Sequence, residues 1–282
     1  MFKAGIKKEI KLFTRGFRLW GLIILVMGLA LTYPAMYKMI EVMGDALTDM
    51  SSLGGEAASA ADSVSGMMGS LTALYGADSI GQVGFYTGVA ALVGIGMLIT
   101  MLLFMVTAGG EQKKRSVIIP DCAGLTPVGY VMPKFAIYPI LTVVIMFLGT
   151  LFAGLVTNAM FGNVVSMNDM LFSGACAAGY GLFEITAYFM VGLCMGRPGI
   201  AVVIVYLGSE LVSLLLTAFR IDRFNPFVLY NMVGSPYEQI DDTNNFVLSL
   251  IVSVILSVIF CLITLMVAGL RKIDNSVGDA NL

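Results

Sequence analysis

The 282-residue chain contains no histidine. That absence removes histidine-ligated metals, Ser-His and Cys-His nucleophile pairs, and imidazole proton relays. Charge is scarce too: 12% of residues are charged, against roughly a quarter in an ordinary soluble domain. With 58% of residues hydrophobic, the composition is that of an integral membrane protein. Four cysteines do not form a disulfide framework, because Cys122 falls in a basic stretch and Cys176, Cys194 and Cys261 fall in apolar runs. They read as small hydrophobes. No G-x-x-x-x-G-K-[ST] pattern occurs, so the loop that cradles nucleotide phosphates is missing. A net charge of -2 carries no signature of nucleic-acid binding.

What remains is apolar sequence with basic punctuation. Phe2, Ile6, Ile10, Phe13 and Phe17 share a narrow arc at helical spacing, with Lys3, Lys7, Lys8, Lys11, Arg15 and Arg18 opposite. Residues 1–16 therefore read as a basic amphipathic helix on the membrane surface. A signal peptide is the competing reading, but the next apolar run is long and no A-x-A-like site follows it. Six apolar segments succeed it, near Phe17 to Met36, Val83 to Thr107, Phe135 to Met160, Met170 to Cys194, Ile200 to Ala218 and Phe246 to Leu270. Each approaches or exceeds the ~20 residues that cross a bilayer as a helix, the form that satisfies backbone groups in lipid. An even number of spans puts both ends on one side. That side collects the six basic residues of the first helix, Lys113, Lys114, Arg115, Lys134, Arg197, Arg271 and Lys272, leaving Lys38, Arg220 and Arg223 opposite. Both termini are thus expected in the cytoplasm.

Two segments are expected on the outer side. Residues 37–82 are rich in Ser, Gly, Ala and Met, and read as the first helix continuing outward, a flexible Gly/Ser stretch and a short apolar return at Leu71 to Tyr75. Residues 219–245 mix Phe219, Phe224, Phe227, Leu229, Tyr230 and Tyr237 with charges and two prolines, a composition suited to a re-entrant segment folding back on the membrane face. No internal repeat stands out. The expectation is an all-α membrane domain over residues 1–282.

Residues 108–134 form the main basic interruption. Glu111 ends the second span, Lys113, Lys114 and Arg115 follow, Ser116 opens a short apolar turn, Pro120 stops it, and Pro127, Pro133 and Lys134 lead into the third span. A positive-inside loop accounts for the basic residues alone. The fuller arrangement, a Glu after the second span, a small hydroxyl residue five positions on, a proline, an apolar-aromatic pair and a Lys opening the third span, resembles the cytoplasmic signature of ABC-2 type permeases. The surface helix resembles that family's elbow helix, and the six spans and the aromatic outer segment are similar to its topology. Arg115-Ser116 departs from the family's usual Gly-Thr pair, and an Asp-Cys pair follows Pro120. The resemblance implies a coupling helix between spans two and three, in which Glu111, Lys113, Lys114, Arg115, Ser116, Pro120 and Lys134 serve an ATP-binding subunit. It implies two copies of that subunit, carrying ATP and Mg2+ that this chain does not bind, a second permease chain, and export across a bacterial cell membrane.

Glu184 and Glu210 fall near the centres of the fourth and fifth spans, where a carboxylate costs on the order of 2.5–3.5 kcal/mol on insertion scales. Tyr180 and Tyr188 stand one turn either side of Glu184, and Tyr206 and Ser213 flank Glu210. Two readings stay open. In one, Glu184, Tyr188, Tyr206 and Glu210 line a translocation pathway for a cationic or amine-bearing substrate, a proton or sodium. In the other, hydrogen-bonded carboxyls hold the two helices together. Gly84 with Gly88 and Gly174 with Ala178 make small-xxx-small pairs suited to close helix contact. A permease is the primary expectation, an ion-coupled secondary transporter using Glu184 and Glu210 the alternative, and a membrane enzyme the third class.

Overall fold

A computed structural model describes residues 2–14, 17–51, 56–111, 126–219, 225–237 and 243–278. Every regular element among them is helical. Six helices are long and apolar enough to cross a membrane: Phe17–Met50, Ile80–Leu103, Val128–Phe161, Met167–Met195, Pro198–Leu216 and Asn245–Leu270. The multi-pass architecture read from the sequence is therefore present, and each span overlaps its expected segment. The elements in order are α1 (Phe2–Thr14), α2 (Phe17–Ser51), α3 (Glu56–Tyr75), α4 (Ile80–Ala91), α5 (Met97–Leu103), α6 (Pro127–Phe161), α7 (Met167–Met195), α8 (Pro198–Ala218), α9 (Val228–Val233) and α10 (Thr243–Gly278).

The fourth span, α7, is the hub, packed against α6, α8, α9 and α10. Lipid offers helices no hydrophobic reason to associate, so close packing and interhelical hydrogen bonds must hold them. Glycines provide the approach. A Cβ on Gly84 or Gly88 would sit 3.3 Å from the Cβ of Tyr37 or Tyr33 in α2, and one on Gly174 would sit 3.0 Å from the Phe147 ring in α6. Thr186 of α7 and Ser257 of α10 share a buried hydrogen bond of 3.0 Å between their hydroxyls. Other buried hydroxyls turn inward on their own helix: Thr142, Thr150, Ser253 and Ser257 donate to carbonyls four residues back, satisfying polar groups where no water reaches.

Three boundaries differ from the sequence reading. Residues 56–75, expected to hold a flexible stretch, form the helix α3, whose Met68, Leu71 and Tyr75 pack on a small core of Tyr37, Ile80 and Val83. Tertiary contact overrides the weak propensity of Gly and Ser there. The third span begins at Pro127 rather than near Phe135, because Thr126 caps the helix by accepting from the Gly129 N–H at 3.2 Å and Pro127 needs no hydrogen-bond partner in a first turn. Lys134 therefore lies two turns inside α6. In the second span, π-helical turns at Leu92–Gly96 and Val106–Gly110 interrupt the α-helix. The described part of 219–245 does fold back: Phe227 and Tyr230 pack edge-on or tilted against Tyr180 and Phe183 of α7, with ring centroids 5.3–6.2 Å apart, and the Tyr237 N–H donates to Asp169 at 2.9 Å.

The second π turn ends in a break. Ala108 leaves helical geometry (φ -87, ψ 66) and Gly109 adopts φ +90, a region that side-chain-bearing residues rarely enter. A Cβ on Gly109 would also collide with the carbonyl oxygen of Gly192 in α7. Gly109→Ala is thus expected to lower the melting temperature of the detergent-solubilised chain, with left-handed strain alone worth roughly 1–2 kcal/mol. Gly28→Ala, where a Cβ meets nothing within 4 Å inside α2, should not lower it, since Ala is the better helix former. Equal melting curves for the two variants would refute this account of the break.

Candidate functional site

The break at Gly109 delivers Glu111 into a buried ion cluster at one end of the bundle. Lys134, with 0% of its surface exposed, donates from Nζ to Glu9 Oε1 at 2.7 Å and to Glu111 Oε2 at 3.0 Å. Lys8 Nζ, at the rim, lies 2.9 Å from Glu111 Oε1. The Tyr138 hydroxyl donates to Glu9 Oε2 at 2.9 Å, and the Lys134 ammonium stands 4.8 Å from the centroid of the Tyr130 ring. Two lysines and two glutamates balance, as burial of charge requires. On its inner side the cluster is closed by aromatic rings: Tyr138 packs on Phe104 at 4.8 Å and on Phe189 at 5.2 Å, and Phe13 of α1 packs on Phe104 at 5.8 Å. Tyr138 belongs to both layers, its ring among aromatics and its hydroxyl on Glu9.

Local sequence explains the docking of α1. Pro133 has no N–H to return to the Gly129 carbonyl one turn back, which leaves a shallow break in the α6 surface. Gly5 of α1 fits there: a Cβ on it would lie 2.7 Å from both the Gly129 oxygen and Pro133 Cγ. Gly5, Glu9 and Phe13 form the buried face of α1, while Ile10 remains 47% exposed. At 100° per residue this face is rotated roughly 60° from the apolar arc, with Phe13 common to both. The helix thus has a docked face and a separate apolar one.

No family model, curated protein or solved structure matches the chain.

Of the residues expected to serve coupling, Glu111 and Lys134 come together. Lys113, Lys114, Arg115, Ser116 and Pro120, and with them the expected coupling helix, lie outside the described residues. Glu9, Lys8, Tyr130 and Tyr138 were not singled out from the sequence. Glu9 had a signal, as the lone acid among the basic residues of the first helix.

The intramembrane carboxylates behave differently from each other. Glu184 on α7 is buried at 2% exposure, and neither its Oε2 nor the buried hydroxyl of Tyr188 has a hydrogen-bond partner among the described residues. The hydrogen-bonded carboxyl expected with Tyr188 is not formed at that oxygen. Glu210 on α8 is exposed on the surface of the chain, with Tyr206 half-buried beside it. Glu184 and Glu210 lie within electrostatic reach of each other. Tyr230 of α9, also absent from the sequence-based set, is in reach of both.

Burial alone would raise the pKa of Glu111, but Lys134 and Lys8 outweigh it and hold the carboxyl below its ordinary 4.5. A depressed value means that the charged cluster stabilises the fold above pH 4.5 and loses that contribution as pH falls through the lowered value. Lys134→Met leaves two buried glutamates with Lys8 alone, and is expected to cost about 3–5 kcal/mol. The sign of the pH response should then reverse: acidification from neutrality destabilises the native chain below pH 4.5 but relieves the Lys134→Met variant. Melting curves from pH 7 to pH 4 that run parallel for the two proteins would contradict this balance.

Proposed function

We propose that the chain is the membrane-spanning permease subunit of an ATP-binding cassette transporter of ABC-2 type. It would work with a separate ATP-binding subunit in two copies, which supplies ATP and Mg2+, and with a second permease chain that completes the pathway. The observation that carries the reading is the Lys134 cluster. Glu111 directly precedes the basic segment 112–125, Lys134 lies two turns into the helix that follows it, and the ion pair between them extends to Glu9 of α1. A partner that displaced this segment would move the second span, the third span and α1 together, which is what coupling of ATP-driven closure to alternating access requires. The basic residues concentrated at this end favour a cytoplasmic position for it and for both termini; a bacterial inner membrane and outward transport rest on the family resemblance alone. The resemblance of 108–134 to the family's signature supports the same reading.

The test is a mild-detergent pull-down of the tagged chain from its native membrane, with mass spectrometry and an ATPase assay on the eluate. A soluble Walker-motif protein should follow the chain, and the triple variant Lys113→Glu, Lys114→Glu, Arg115→Glu should abolish transport-linked ATPase stimulation while leaving the chain folded. Unchanged stimulation in the triple variant, or a chain that elutes alone, would remove the reading. The latter result would turn attention to an ion-coupled carrier using Glu184 and Glu210.

A further inference from the structure

The unsatisfied oxygen of Glu184 is the least expected polar atom in the bundle. Buried carboxyl oxygens are partnered as a rule, and an exception marks strain, function or a missing ligand. Around it the chain gathers groups of one chemical character. Tyr180, Tyr206 and Tyr230, from α7, α8 and α9, are each within electrostatic reach of both Glu184 and Glu210. The Tyr180 and Tyr230 ring centroids lie 5.4 Å apart. Among the described residues, no cationic side chain acts on Glu184 or on these phenols.

The second span runs alongside this arrangement. At its first π turn Gly94 faces the Tyr230 hydroxyl, which a Cβ there would meet at an ordinary contact distance of 3.5 Å. π turns are rare and recur at functional sites. Tyr230 also lines an open cavity of about 460 Å³, with Tyr75, Gly76, Ala90, Asn231 and Ser235. Tyr230 thereby belongs both to the wall of an open cavity and to the tyrosine cluster beside Glu184.

The geometry points to an intramembrane site for an organic cation, an ammonium or other onium group, held between Glu184 and Glu210 and flanked by the rings of Tyr180, Tyr206 and Tyr230. Ring faces attract a desolvated cation through their quadrupole, and the carboxylates balance its charge. Among the described residues no three acidic or thiol side chains stand together as a metal site would need. The orphaned oxygen of Glu184 is then an acceptor waiting for the ligand. Exposed Glu210 is the outer contact. This deepens the transport reading and rests on it for turnover, while binding itself requires only the chain.

The experiment uses tetraphenylphosphonium as probe, by equilibrium dialysis against the full chain in lipid nanodiscs without any ATPase partner. Tetraphenylborate, of the same size and opposite charge, controls for partition into lipid. Saturable binding of the cation alone is expected, weakened about tenfold or more by Glu210→Gln and by Glu184→Gln. Tyr230→Phe, which keeps the ring, should stay near the native affinity, and Tyr230→Leu should not. Glu210 is exposed, so its Gln variant disturbs no core, and gel filtration of each variant checks the fold. Equal uptake of the two ions, or native affinity in the Glu184→Gln, Glu210→Gln double variant, would overturn the site. Because no ATPase is present, a negative result here leaves the partner question untouched, and a chain that binds the cation but recruits no ATPase would fail the permease reading alone.

Discussion

A lysine ammonium with no access to water has to be matched by charge, and much of the structure at one end of the bundle follows from that requirement. Lys134 draws Glu9 from α1 and Glu111 from the end of the second span to the same point on α6. Those three elements come from separate parts of the chain, and the rings of Phe13, Phe104 and Tyr138 pack where they meet. In lipid, where hydrophobic burial does not distinguish one helix arrangement from another, a closed ion cluster is specific: displacing any one partner strands the others at several kcal/mol. The Gly109 break and the Gly5 contact at Pro133 are the backbone adjustments that bring the charges within reach.

The bundle thus has two polar centres of opposite character. The Lys134 cluster is neutral by internal pairing and sealed by Phe13, Phe104 and Phe189. Glu184, by contrast, has no cation acting on it among the described residues, and tyrosines stand beside it and Glu210. A fully paired network rigidifies, whereas an unpaired one leaves bonding capacity for something not part of the chain. The same α7 helix contributes to both, through Phe189 at one and Glu184 at the other, so the two centres are linked by a rigid element that spans the molecule.

Much of the fold was legible because its signals are long. Six apolar runs near 20 residues leave few alternatives, and Gly84 with Gly88 announced the close contact with α2 that Tyr33 and Tyr37 fill. Short or tertiary signals were not legible. Pro133 reads as a breaker, yet the helix passes through it, since α1 covers the gap it leaves. The Gly/Ser run before Leu71 reads as flexible, yet α2 supplies a surface for it. Glu9 was hidden by averaging, one acid in a helix whose net charge is strongly basic. That Glu184 is buried and Glu210 exposed depends on how α8 is rotated against α7, which spacing along one helix does not encode.

The first span carries its own depth gauge. Arg18 and Lys38 bracket 19 residues without a charge, about 28 Å of helix at ~1.5 Å per residue, close to the ~30 Å hydrocarbon thickness. Trp20 near one end and Tyr33 and Tyr37 near the other are the residues that prefer the two interfaces. Gly84 and Gly88 grip those same tyrosine positions, so α2 cannot slide along its neighbour to suit a thicker or thinner bilayer. Hydrophobic mismatch must be met by tilting the whole bundle or by deforming the lipid around it, which makes membrane thickness a mechanical variable acting on the entire protein.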